Sequence, residues 1–178
     1  MVAVGMKLLS RSLAALTLAA VGVGAAPPPR AVAAEPTAIA VVVNPRNPVT
    51  DLSLRQLRSY FKLEQQYWPS KERCEVFLRP TRSKEADILL DRVYQMSNEE
   101  LRKYWVGKIF RGEISSKPSV IPTAKAAGAR VGSVTGALTV ILADEVPEGV
   151  RVLTIDGKKP GDEGYPLVAA APDDGPDS

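Results

Sequence analysis

The residues best equipped for chemistry in this 178-residue sequence lie in one short turn, Arg79, Thr81, Arg82, Ser83 and Lys84. Arginine can lay two parallel N–H donors on a tetrahedral oxyanion, and a serine at a helix start adds a hydroxyl. The free amides of a first helical turn and the positive end of its dipole favour the same charge. That chemistry is anion binding. Glu85 stands in the same turn and opposes it. Two unit charges about 4 Å apart interact by roughly 4 kcal/mol at an effective dielectric near 20, so a nearby carboxylate would repel a bound anion strongly. The plainer reading of these residues is an N-cap, Thr81 or Ser83, beside solvated basic side chains, with Glu85 complementing the helix dipole.

No catalytic constellation accompanies the turn. The sequence has no histidine, which removes the commonest general base and the commonest zinc ligand. The acidic pairs Glu99/Glu100, Asp144/Glu145 and Asp162/Glu163 fall in caps or turns and read as solvated surface. Cys74 is the only cysteine, so there is no internal disulfide framework, and its place in CEVFL (Cys74–Leu78) reads as core. The stretch GARVGSVTG lacks the preceding strand and the Lys-Ser/Thr end of a phosphate loop. The expectation is a non-enzyme with no catalytic residues, no metal and no cofactor.

The basic excess over the whole chain is +3, but it is unevenly placed. Residues 1–34 read as a secretory signal peptide: Lys7 and Arg11, then LAALTLAAVGVGAA, then a Pro/Ala run with small residues at Ala33 and Ala34. This leader holds Lys7, Arg11 and Arg30, three of the 23 basic residues, and none of the 20 acidic ones. The chain from Glu35 onward carries equal numbers of both, so a nucleic-acid partner loses its bulk support. Cleavage would leave a chain in the periplasm or outside the cell. Its length of about 144 residues is enough for one domain, expected over 35–168. Residues 169–178, rich in Pro, Asp and Gly, read as a disordered tail.

The elements that must position the turn are legible in the periodicity. TAIAVVVN (Thr37–Asn44) is a continuous apolar run and predicts a strand buried on both faces. LRQLRSYFKL (Leu54–Leu63) predicts an amphipathic helix capped by Asp51 or Ser53. Tyr67 and Trp68 read as packing residues over a loop. Cys74–Leu78 is a second strand that feeds the turn, and a helix continues over Ser83–Tyr94. Ser97 and Glu100 form a capping box before a helix through Leu101, Tyr104, Trp105, Ile109 and Phe110, stopped by Gly112. Residues 113–121 read as a polar connector, and a small-residue helix begins at Pro122. Gly136 turns the chain into a third strand, ALTVIL (Ala137–Leu142), and Arg151–Asp156 is a fourth. This alternation predicts an α/β domain whose mixed or mainly parallel sheet is covered by helices on both faces. Ligands in such sheets bind near strand C-termini, which marks the Leu78–Ser83, Asn44–Asn47 and Val134–Gly136 loops as rims.

Taken in order, VVVNPRNPVTDLSLRQLRSYFKLEQQYW, CEVFLRPTRSKEADILLDRV, GSVTGALTVI and TIDGKKPGDEGYPL resemble the phosphate-binding-protein-like group of periplasmic solute-binding proteins of ABC transporters. The resemblance covers about Ala38–Leu167 and implies a single, second lobe of a type 2 periplasmic-binding-protein-like fold, three layers with a mixed sheet flanked by helices. It puts Arg79 on the family's phosphate-holding arginine and Ser83 on its serine, with Lys84 and Glu85 where the family has glycine and threonine. Gly136 and Ala137 match the family's Gly-Ala turn, while Thr139 and Val140 replace its later Gly and Tyr. The resemblance implies ligand roles for Arg79, Ser83 and Gly136; with Thr81, Arg82 and Lys84, named by the chemistry of the turn, they make the expected ligand set for weak binding of phosphate or another oxyanion. The implied protein partner is a membrane permease or a periplasmic protein of a phosphate uptake or sensing system. The alternatives are an accessory module that acts through protein contact and, behind it, a hydrolase.

Overall fold

The computed structural model describes residues 37–170; the expected leader, and the expected tail beyond its first two residues, lie outside them. In chain order the elements are β1 (Ile39–Val43), β2 (Asp51–Leu52), α1 (Leu54–Phe61), β3 (Glu75–Leu78) and α2 (Lys84–Ile88). A π-helical segment (Leu89–Tyr94) prolongs α2, and α3 (Asn98–Phe110), β4 (Ser119–Val120) and α4 (Ala124–Ser133) come next. The remaining elements are β5 (Ala137–Leu142), β6 (Arg151–Val152) and β7 (Thr154–Ile155).

Every residue of β1 is buried, as its unbroken apolar run requires. Alternation along the strand sends Ile39, Val41 and Val43 into one core and Ala40 and Val42 into another. The first core is closed by Leu57, Tyr60 and Phe61 of α1, by Val93 and Tyr94, and by Trp105 of α3. The second is closed by Ala127 and Val131 of α4. Helices therefore cover both faces, and the described residues form three layers.

The main sheet runs β4-β3-β5-β1-β6. β3 is parallel to β4 and β5, whereas β1 is antiparallel to β5 and β6. The mixed sheet is the expected one, and β1 supplies the reversed direction. That reversal corrects the rim assignment. Val43 pairs with Leu138 near the start of β5, so the Asn44–Asn47 loop and the Val134–Gly136 turn share one end of the sheet. The Leu78–Ser83 turn stands at the other.

Three local expectations also change. The fourth strand breaks at Leu153: β6 pairs with β1, and β7 pairs with β2 in a separate two-stranded sheet. The connector over 113–121 contains β4, whose two exposed residues carry no periodic signal. Pro122 precedes α4 rather than starting it, because Thr123 is the N-cap and accepts from the Ala126 N–H at 3.1 Å. The Ser97/Glu100 capping box closes α3 as expected, and of the two candidate caps of α1 Ser53 is the one used, in a capping box with Gln56.

Candidate functional site

β3 delivers the chain to Arg79 at its C-terminal end, and Ser83 caps α2 by accepting from the Ala86 N–H at 3.2 Å. Of the two candidate caps, Ser83 is the one used. The first turn of α2 points Glu85 inward, where only 3% of its surface remains exposed, beneath an Arg79 that is itself 6% exposed. Arg79 Nε donates to Glu85 Oε1 at 2.9 Å, and its Nη1 donates to the Ile121 carbonyl at 2.8 Å. Burial alone would push the Glu85 carboxyl up. Its own backbone N–H, the Arg79 guanidinium and the Ser83 hydroxyl outweigh burial and hold it below the usual carboxylate range. The donors that suggest an oxyanion cradle thus converge on an oxyanion, and that oxyanion belongs to Glu85.

The other predicted residues part company. Thr81 and Arg82 are exposed and border a groove on the outer side of the turn, and Lys84 is exposed without bordering it. Gly136 lies elsewhere. It precedes Ala137, the partner of Glu75 at the start of β3, whereas Arg79 comes after the end of that strand. Four residues of strand at about 3.3 Å each place the two roughly 13 Å apart. The work of Gly136 is packing: a Cβ there would stand 2.0 Å from the Arg73 carbonyl oxygen. Its own carbonyl accepts from the Glu75 N–H at 2.9 Å and the Trp68 indole N–H at 3.0 Å.

The groove beside Arg79 encloses about 640 Å³ between α3 and the β4 edge. Leu78, Leu101, Trp105, Val106, Ile109 and Val120 make its apolar surface. Arg79, Arg82, Arg102 and Lys117 border it, and no acidic residue does. Sequence reasoning overlooked this surface. The signal was present in KYWVGKIF (Lys103–Phe110), where the adjacent apolar pairs Trp105-Val106 and Ile109-Phe110 cannot all face one core at 100° per residue. Trp105 turns inward, whereas Val106, Ile109 and Phe110 are 62%, 42% and 91% exposed.

Two groups with reactive potential are withdrawn into the core. Burial pushes the Cys74 thiol well up, and Tyr60 is pushed up to about 12, so neither ionises readily near neutrality. Among the described residues no cluster of acidic or cysteine side chains could hold a metal ion. No helix among them is long and apolar enough to cross a membrane.

No family model matches the sequence, and no curated protein compared with it is similar. Solved structures are similar in fold. PstS from Borrelia burgdorferi is 12% identical with a TM-score of 0.58, over 74% of this chain and 54% of its own. An ABC-type phosphate transport receptor from Vibrio cholerae is 19% identical with a TM-score of 0.56, over 70% of this chain and 48% of its own. A phosphate binding protein from Stenotrophomonas maltophilia is 16% identical with a TM-score of 0.52, over 70% and 40%. The chain spans about half the length of the solved structures it matches. Its fold is that of part of these phosphate-binding proteins, a mixed sheet flanked by helices on the periplasmic-binding-protein pattern.

Proposed function

We propose that this chain is an exported, non-enzymatic, solute-receptor-like lobe of an ABC-type phosphate uptake or sensing system that acts by protein contact, its oxyanion cradle closed by its own Glu85. The observation that carries the reading is the buried Arg79–Glu85 pair at 2.9 Å. A free phosphate would have to displace a tethered carboxylate and then remain beside its charge. The likeness in fold to phosphate receptors supports the system, and the leader pattern in residues 1–34 supports export to the periplasm or beyond. A chain without histidine, and with its one thiol buried, supports a non-enzyme. The partner on this reading is a membrane permease or a periplasmic protein of that system.

A second reading is weak capture of phosphate or another oxyanion by Arg79 and Ser83, with Thr81, Arg82 and Lys84 around them. Its support is that Arg79 also borders an open groove, beside the exposed Arg82. Calorimetric titration with millimolar phosphate separates the two. The contact reading expects no heat and a negligible rise in Tm, because linkage stabilisation vanishes when ligand stays below its dissociation constant. Glu85→Gln, which removes the competing charge, should gain a weak phosphate response that Arg79→Ala then abolishes. Binding by the wild-type chain that Arg79→Ala removes would replace contact with capture.

A further inference from the structure

We infer that the groove between α3 and β4 docks an extended segment of a partner protein in which carboxylates flank apolar side chains. The inference rests on the contact reading above and names the surface and partner chemistry through which it would operate.

Shape and polarity suit a docked segment. A hollow of about 640 Å³ falls within the roughly 300–1,000 Å³ span of ligand-holding clefts. Its apolar wall continues onto a helix face that the fold leaves uncovered, at Val106, Ile109 and Phe110. Charge selects an acidic partner. Arg82, Arg102 and Lys117 border the groove, and among the described residues none of them forms an ion pair. A partner that brings carboxylates to an apolar cleft whose charged border residues are all cations gains both steering and register.

The backbone selects a peptide over other occupants. β4 is the outer strand of the five-stranded sheet. The Ile121 N–H donates to the Leu78 carbonyl at 2.8 Å, so Ile121 faces β3. Alternation then turns the Val120 N–H and C=O away from the sheet, toward whatever lies alongside. An added strand would take that donor–acceptor pair while its side chains enter the groove, the mode of β-augmentation. A lipid surface would use the exposed Phe110 and leave the Val120 backbone unpaired.

The probe is a short fluorescein-labelled peptide alternating aspartate and leucine, with its lysine-for-aspartate counterpart as control, monitored by anisotropy and by the fluorescence of Trp105. The acidic peptide should bind at least about tenfold tighter than the basic one. Arg102→Glu with Lys117→Glu, both at exposed positions, should weaken it about tenfold, reverse the preference and leave Tm unchanged. Val106→Ser should weaken both peptides. Equal affinity for the two peptides, or indifference to charge reversal, would overturn the assignment. So would binding to phosphatidylglycerol vesicles without peptide binding, or dimer formation that charge reversal abolishes. If peptide binding fails while the phosphate titration stays silent, the groove assignment falls and the contact reading survives; a phosphate response in the wild-type chain strikes the contact reading instead.

Discussion

Arg79 and Glu85 set the character of the site because each is buried and each satisfies the other. Breaking a buried pair costs about 3–5 kcal/mol, since the survivor keeps its charge without a counterion. Glu85→Ala should fall near the lower end at neutral pH, because Arg79 keeps the Ile121 carbonyl. Arg79→Met with Glu85→Leu should recover most of that loss, as apolar replacements of buried pairs often do. The pH dependence has a definite sign. A carboxyl held below its unfolded value, near 4.3, contributes stability that is present above that value and is lost as pH falls through the folded one. The urea midpoint of the wild-type chain should therefore exceed that of Glu85→Gln at neutral pH, and the gap should narrow on acidification. A constant gap would mean that the carboxylate contributes through shape alone. Residue types alone make this conflict visible in RPTRSKEAD. They could not say whether Glu85 would turn outward or inward, because a side chain's direction depends on how the first turn of α2 docks beneath β3.

Strands and helices with strong periodicity were legible, and those without it were not. β1 announces itself by an unbroken apolar run and β5 by one interrupted only at Thr139, and α1 and α3 by their capping serines. β4 has two exposed residues, and its existence depends only on the edge that β3 offers. The break at Leu153 is tertiary as well: its N–H donates to the Val41 carbonyl, and the next N–H, of Thr154, to the Thr50 carbonyl near β2. Gly136 was rightly a turn residue, but its place in the anion site does not hold. Sequence order put it beside a strand and could not reveal that the turn lies at the far end of β3 from Arg79. The close approach to Arg73 gives that glycine a measurable role. Gly136→Ala should lower stability by about 2–3 kcal/mol through forced separation of two backbone segments, without altering any peptide affinity of the groove. A change smaller than about 0.5 kcal/mol, the scale of ordinary surface substitutions, would show that the loop yields freely.

At the scale of the whole molecule, the three-layer order of the described residues could be read from alternating strands and helices, whereas the direction of β1 could not. Direction is set by pairing between residues about a hundred positions apart, and Ile39 opposite Leu142 is such a pair. The same distant pairing draws the two ends of the described fold together. Tyr165 donates its buried hydroxyl to the Ile39 carbonyl at 2.9 Å, Ala38 bridges Val168, and the Ala169 N–H donates to the Thr37 carbonyl at 2.7 Å. Order thus reaches Ala169, one residue past the expected domain edge. Entry and exit side by side make this architecture a closed detour: a polypeptide can leave a host structure, build the lobe and rejoin its path almost where it departed. A circular permutant joining residue 169 to residue 37 by a short Gly/Ser linker, with new ends in the exposed Ser115–Ser116 connector, should therefore fold to the same sheet order and keep a cooperative melt. A permutant that melts without cooperativity would mean that continuity through that connector, and not the meeting of the ends, organises the lobe.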